Sequence, residues 1–405
     1  MSNLRDHASS LQDDLVRLRR ELHQIPEIGL QVPATQAVLL RELEGLPLEI
    51  STGEQVSSIT AVLRGGKAPE RVADRPVVLL RGDMDALPVT EQTGLDFAST
   101  NGAMHACGHD LHMSLLIGAV RTLCHVKDDL TGDVVFMFQP GEEGMDGAQS
   151  MIDEGILTAA GKKADAAFAI HVFSALEPYG TFATRPGAIM AATNKFKVTM
   201  KGKGGHGSAP WMAKDPVPAL AELVTATHAM VTREYSPFDP VVVTVGKLAA
   251  GTAENVIPAE GMFETTVRCY SQENTKKLGT TLVRLAEGIA SAHGLEVDAT
   301  YTESYPVTLN DPDYAAFTAQ TVRDVFGDDR FTEWANPLTG SEDFSRVLLE
   351  VPGCYVALSA VPADVDPATA TYNHAPQATF DDGVIADGAA LLAELAVRTF
   401  AKLNG

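Results

Sequence analysis

Four short runs with no polar alternation constrain this fold most: VVLL (77–80), VVFMF (134–138), AAFAI (166–170) and CYVAL (354–358). A strand that is apolar on both faces has to be covered on both, the condition of a parallel sheet flanked by helices. ITAVL (59–63) adds a fifth run, and helical stretches separate them, notably 110–125 and 145–157. This strand–helix alternation predicts an α/β unit with a mainly parallel core. Upstream, Leu11, Leu15, Leu18 and Leu22 recur at helical spacing, and Pro26 closes that helix. Val32 to Leu43 reads as a second helix.

The pattern changes near residue 190. KFKVTMKGKG sets Phe196, Val198 and Met200 against Lys195, Lys197, Thr199 and Lys201, a strand with one wet face. A helix over about 216–233, the strands VVVTVGKLAAG and GMFETTVRCY, and a helix over about 273–292 closed by Gly294 follow. Two helices on one side of an open antiparallel sheet fit this order, an α+β arrangement. After about residue 303 the all-apolar style returns, and a helix over about 382–403 comes last. The simplest reading is a small α+β domain, residues 191–303, inserted between two parts of a larger α/β domain, 1–190 and 304–405. RGGKAPERVADRP reads as a polar hairpin or loop, and no internal repeat or low-complexity segment is present.

Composition narrows the function classes. With 31 Lys+Arg against 53 Asp+Glu, the formal charge is -22, which argues against nucleic acid as a partner, since phosphate backbones are bound by Lys/Arg patches. An anionic membrane surface is disfavoured likewise. No apolar run approaches the roughly 18–20 residues that span a bilayer, and MSNLRDHASS is no apolar signal segment. The four cysteines form no CxxC pair, so a cytoplasmic protein with reduced thiols is expected. A chain of 405 residues with 45% hydrophobic residues builds its core without disulfides.

Chemistry-bearing residues gather just beyond the apolar runs. RGDMDALPV places Asp83 and Asp85 at the carboxyl end of a strand, where ligands bind in open α/β sheets. The same run is also what a turn with capping aspartates would show. In MHACGHD, Gly108 lets the backbone bend so that Cys107 and His109 converge, and sulfur with imidazole suits zinc and its first-row neighbours. A loop with one buried cysteine and a capping Asp110 has the same pattern. QPGEEG puts Glu142 and Glu143 after a strand-end turn. Adjacent side chains diverge, so one carboxylate can bind a metal while the other acts as general base. Two glutamates favoured by a helix dipole are the plainer alternative. His171 ends another apolar strand and His374 sits in the turn YNHAP. Alone, each is an ordinary core or turn histidine. Together with the others they share one edge of the sheet, provided the strands are parallel.

RGDMDALP, MHACGHDLH, QPGEEG, AIHV, GKGGHGSAP, AENVIPAEG, GSEDFS and NHAP occur in an order that resembles the amidohydrolase branch of the M20 metallopeptidase family. The branch contains hippurate hydrolases, N-acyl-amino-acid amidohydrolases and auxin-conjugate hydrolases. The resemblance runs from HQIPEIGL to NHAP. It implies a zinc-peptidase-like catalytic domain with an inserted ferredoxin-like lid and dimerisation domain. It implies two divalent ions per subunit (Zn, Mn, Co or Ni), with Cys107 bridging and His109, Glu143, His171 and His374 as the other ligands. Glu142 matches the general base and Asp85 a carboxylate that orients the site. Asp83 stands where other branches carry a metal-binding histidine and is not counted as a ligand. His206 matches a residue that reaches a partner subunit's active site to stabilise the oxyanion, and Asn255 and Arg268 match substrate-binding positions.

The activity implied is hydrolysis of the amide bond of N-acyl-amino acids or similar small amides by a metal-activated water, releasing a carboxylic acid and an amino acid. A homodimer through the inserted domain and a small-molecule substrate follow. A dipeptidase or carboxypeptidase acting on short peptides is the alternative within enzymes, and a non-catalytic metal- or ligand-binding protein of the same fold the alternative outside them. Cys107 as nucleophile, with His105 or His109 as base, is the rival role for the thiol; a thiolate held by metals is not free to attack. His112 is three residues after His109 and shares its helix face, a supporting position and not a ligand. His23 has a structural role. The chain departs from the family pattern at Gly141, where alanine is commoner, and at Trp211, where smaller or polar residues are frequent.

Overall fold

The computed structural model describes residues 4–404. The chain divides into two compact units. The first runs to Ile189 and resumes over Leu309–Asn336 and from Arg346 onward; the second comprises Met190–Thr308 and Pro337–Ser345. Residues 337–345 thus group with the second unit although they follow the 191–303 segment by many residues.

In the first unit an eight-stranded sheet runs in the order Leu48–Thr52, Ile59–Leu63, Asp133–Gln139, Val77–Asp83, Ala166–Phe173, Gly353–Ser359, Phe182–Thr184, Phe331–Glu333. Val77–Asp83 pairs parallel with both Asp133–Gln139 and Ala166–Phe173, and the latter pairs parallel with Gly353–Ser359. Every residue of these four strands is buried, as their unbroken apolar runs require. Helices Gln12–His23, His109–His125 and Ile385–Asn404 pack on one another, and Leu15, Leu18 and Leu22 are buried as their spacing predicts. Parallel pairing brings the carboxyl ends of the four strands to one edge of the sheet.

The second unit is a β-α-β-β-α-β arrangement of the ferredoxin-like kind. Strands Val241–Ala250, Glu260–Cys269, Ala192–Lys201 and Glu296–Tyr305 lie in that order, each antiparallel to its neighbours. Helices Pro216–Glu234 and Gln272–Ala292 are capped by Asp215 and Ser271, whose side chains accept from Val217 N and Asn274 N. Phe196, Val198 and Met200 are buried while Lys195 and Lys197 face solvent, the alternation read from the sequence.

RGGKAPERVADRP forms a loop with one 3-10 turn, Val72–Asp74, and no hairpin. Among the described residues no helix is long and apolar enough to cross a membrane.

Candidate metal centre

The site is built on the carboxyl edge of the parallel strands. Val77–Asp83 delivers Asp83 and then Asp85; Asp133–Gln139 delivers Glu142 and Glu143; Ala166–Phe173 carries His171 near its end. Helix His109–His125 starts at the same edge, after Gly108 at φ 84. A Cβ on Gly108 would lie 2.4 Å from Val172 Cγ2, so both backbone and space require glycine between Cys107 and His109. Gly141 adopts φ 75, and a Cβ there would meet Leu30 Cδ2 at 2.4 Å. Glycine in place of the commoner alanine therefore suits the conformation of this turn.

The expected donors of the first unit converge. Cys107 Sγ lies 3.3 Å from His171 Nε2 and 3.1 Å from His374 Nε2. His374 Nε2 is 3.2 Å from Glu143 Oε1, and His109 Nε2 is 4.0 Å from both Glu142 Oε2 and Glu143 Oε1. Two triads share the sulfur: Cys107 with His109 and His171, and Cys107 with Glu143 and His374, each with ligand atoms within 4.8 Å of one another.

Hydrogen bonds behind the donors fix their orientation. His109 Nδ1 donates to the Asp85 carbonyl oxygen and His171 Nδ1 to the Val172 carbonyl oxygen, both at 2.8 Å, so each ring turns Nε2 to the cluster. Buried His109 Nε2 has no hydrogen-bond partner among the described residues. The carboxylate of Asp85 accepts from Glu142 N at 2.9 Å with one oxygen and from Glu143 N at 3.1 Å with the other. Asp83 is consumed behind the site: it accepts from Arg81 Nη1 and from His112 Nδ1. His112 Nε2 in turn accepts from Val172 N–H at 2.7 Å, so both its ring nitrogens are engaged.

The electrostatics follow from burial and charge. Burial opposes a proton on His109, yet Asp83 and the hydrogen bond to Asp85 hold its pKa well above the usual imidazole range. Hydrogen bonds to Cys107 and Glu143 push His374 up to about 10. Burial depresses His171 well below its ordinary value, keeping it neutral. Glu143 is lowered despite burial by its hydrogen bond to His374 and the charge of His109. The cluster is one that attracts cations. A sulfur, three imidazoles and a carboxylate, with an unpartnered buried imidazole nitrogen, fit divalent first-row ions.

His105, the candidate base of the thiol-nucleophile reading, is buried with neither ring nitrogen hydrogen-bonded among the described residues, and burial depresses it to about 3. The imidazoles gathered at the sulfur are those of His109, His171 and His374.

The expected residues of the second unit sit on its own framework. His206 pairs with Val256 across strands Gly205–His206 and Val256–Ile257, and Gly207 N donates to the Asn255 carbonyl oxygen. His206 Nδ1 accepts from Ser208 N–H at 3.2 Å, which puts the proton of the neutral ring on Nε2. Arg268, on Glu260–Cys269, donates to Thr266 Oγ1 and the Val267 carbonyl oxygen. Trp211 is 79% exposed.

Sequence reasoning passed over one support, Asn373, and gave Asp110 a supporting role without its partners. Asn373 is buried beside His374 and touches the Cys107 loop. Asp110, read as a cap, is ion-paired to Arg19 at 2.7 Å and hydrogen-bonded to His23 at 2.8 Å. The neighbouring motif letters were the only signal for either.

Residues 79–398 match the family model described as peptidase family M20/M25/M40. An N-acetyldiaminopimelate deacetylase of Geobacillus sp. (strain WCH70) is 37% identical over 342 residues, 84% of this chain and 87% of that one. Thermostable carboxypeptidase 1 of Saccharolobus solfataricus is 32% identical over 403 residues, 98% of each chain. A crystal structure from Bacillus subtilis, described as a dinuclear metal binding peptidase from the M20 family, superimposes with a TM-score of 0.82 at 29% identity, covering 97% of this chain and 99% of that one. With this match spanning most of its length, the chain belongs to peptidase family M20/M25/M40.

Proposed function

We propose that this protein is a metal-dependent amidohydrolase that cleaves the amide bond of N-acyl-amino acids or similar small amides into a carboxylic acid and an amino acid. The observation that carries the reading is the pair of triads sharing Cys107, with Glu142 held beside them. Cys107, His109, Glu143, His171 and His374 would hold two divalent ions, with Cys107 common to both. When bound, such ions polarise a carbonyl and lower the pKa of water towards about 7.

The chain's own residues supply the rest. Glu142, buried and fixed through its backbone by Asp85, takes a proton from the attacking water and returns it to the leaving amine. His206 offers an Nε2–H to the oxyanion, across a homodimer formed by the second unit. Asn255 and Arg268 bind the substrate, the guanidinium facing an α-carboxylate. The deacetylase relative supports an N-acyl-amino acid as the substrate class. The four free cysteines support a reducing, cytoplasmic location.

The test is a panel of N-acyl-amino acids and dipeptides offered to protein loaded with Mn, Zn, Co or Ni. Turnover of acyl-amino acids is expected, and Glu142→Gln should lower kcat about 100- to 10,000-fold. Full activity of Glu142→Gln would sink the assignment of the base. Turnover of dipeptides alone would favour the peptidase alternative, in keeping with the carboxypeptidase relative. Tight metal binding with no turnover on either class would favour a non-catalytic protein.

A further inference from the structure

Asn373 is 8% exposed, and its amide group joins three separated stretches of chain. Nδ2 donates to the carbonyl oxygens of Cys107 at 3.3 Å and Val172 at 3.1 Å, and lies 3.9 Å from Cys107 Sγ. Oδ1 accepts from Ser174 N–H at 2.9 Å and lies the same distance from the Ser174 hydroxyl. These contacts use both the donor and the acceptor side of the amide. Each stretch brings a donor of the cluster: Cys107 itself, His171 immediately before Val172, and His374 immediately after Asn373.

His374 needs such support. It lies among turns between strand Gly353–Ser359 and the helix Ile385–Asn404, with no regular element of its own. Its backbone is at φ 73, a region that non-glycine residues seldom occupy unless their surroundings hold them there. One tie is His374 N–H to the Ala106 carbonyl oxygen at 2.8 Å. Ser174 Oγ donates to the Thr371 carbonyl oxygen at 2.8 Å, and the amide of Asn373 pins the Cys107 loop and the His171 strand end at the same time.

We propose that Asn373 is a positioning residue of the metal centre: it holds Cys107, His171 and His374 in one geometry and thereby sets the affinity for divalent ions without itself touching substrate. The inference rests on the two-ion reading above.

The experiment titrates Co²⁺ into the full-length protein and its Asn373→Asp and Ser174→Ala variants, following both the binding isotherm and the thiolate-to-cobalt absorption. Asn373→Asp keeps the shape but turns a donating edge into a carboxylate oxygen facing two carbonyl oxygens. Co²⁺ affinity should fall about 10- to 100-fold, the range for a partner that orients ligands. The absorption band should weaken, while circular dichroism of the metal-free protein stays that of the wild type. If Asn373→Asp does not fold, Ser174→Ala serves: it removes the hydroxyl that reaches both Oδ1 and the Thr371 carbonyl oxygen in the same loop, and it should weaken Co²⁺ binding in the same direction. Wild-type affinity and an unchanged band in a folded Asn373→Asp, or in Ser174→Ala if that variant stands in, would overturn the proposal. A wild-type protein that binds no Co²⁺ would instead bring down the two-ion reading itself.

Discussion

Asp85 shows how much one buried side chain can organise. Its two carboxylate oxygens take the backbone N–H groups of Glu142 and Glu143, and its carbonyl takes His109 Nδ1. Asp85→Ala removes the carboxylate but leaves the carbonyl, so His109 keeps its orientation and the glutamate pair loses its anchor. We predict a fall in kcat of about 10- to 100-fold with a smaller change in KM, read from steady-state kinetics of the metal-loaded variant. Gly108 is the second lever at this scale. Gly108→Ala meets both a left-handed backbone and a contact 2.4 Å from Val172 Cγ2. Overpacking of this kind costs about 1–3 kcal/mol, which a urea unfolding curve would show as a lowered midpoint. The need for glycine there was legible in the sequence, since Gly108 stands between two chemically matched side chains. Asn373 was not, because its partners Cys107 and Val172 lie 266 and 201 residues away in the chain.

At the scale of elements, a buried charge network ties helix Gln12–His23 to helix His109–His125. Arg19 pairs with Asp110 at 2.7 Å and with Asp382 at 3.1 Å, while His23 bonds Asp110 at 2.8 Å and Glu91 at 3.1 Å. Burial works against a proton on His23, but Asp110 and the hydrogen bond to Glu91 outweigh it and raise its pKa above 6.5. A raised folded-state pKa stabilises fully below the unfolded value and loses that stabilisation as pH climbs through the folded value. Stability of the metal-free protein should therefore decline above pH 6.5 as His23 loses its proton, and His23→Gln should lack that part of the decline. Thermal melts of the two proteins across pH check this; parallel curves would count against it.

Elements that the sequence hid are those whose stabilisation is not written as apolar period. Helix Pro312–Phe326 buries Tyr314, Ala315, Thr318, Ala319, Thr321 and Val322, a face on which two alanines and two threonines separate the larger Tyr314 and Val322. Strand Glu296–Tyr305 alternates exposed and half-buried positions over 296–302 and buries Tyr305 alone, so its apolar side is faint, and backbone pairing along Ala192–Lys201 holds it. By contrast, the four buried strands were plain, because covering both faces leaves no room for polar letters.

On the scale of the whole molecule, the candidate donors come from segments as far apart as Cys107 and His374, 267 residues along the chain. The fold alone brings them together, which is why the sequence could propose the set but not its geometry. Protection against hydrogen exchange should rise on metal loading around residues 105–112, 139–143, 171–174 and 373–374, the segments that meet at the centre. Mass spectrometry of exchanged peptides measures it, and no change in those segments would contradict the ligand set.

That separation along the chain has a kinetic consequence. Cys107 and His109 are two residues apart, but the full candidate set also takes in His374, 267 residues from Cys107, so both triads are complete only once native packing has offset the entropy of closing that loop. Cations should therefore act after the rate-limiting step of folding. They should leave the refolding rate unchanged and slow unfolding, as stabilisation absent from a transition state does. Stopped-flow refolding and unfolding with and without Zn²⁺ distinguishes this from a templating role, in which the refolding rate would rise.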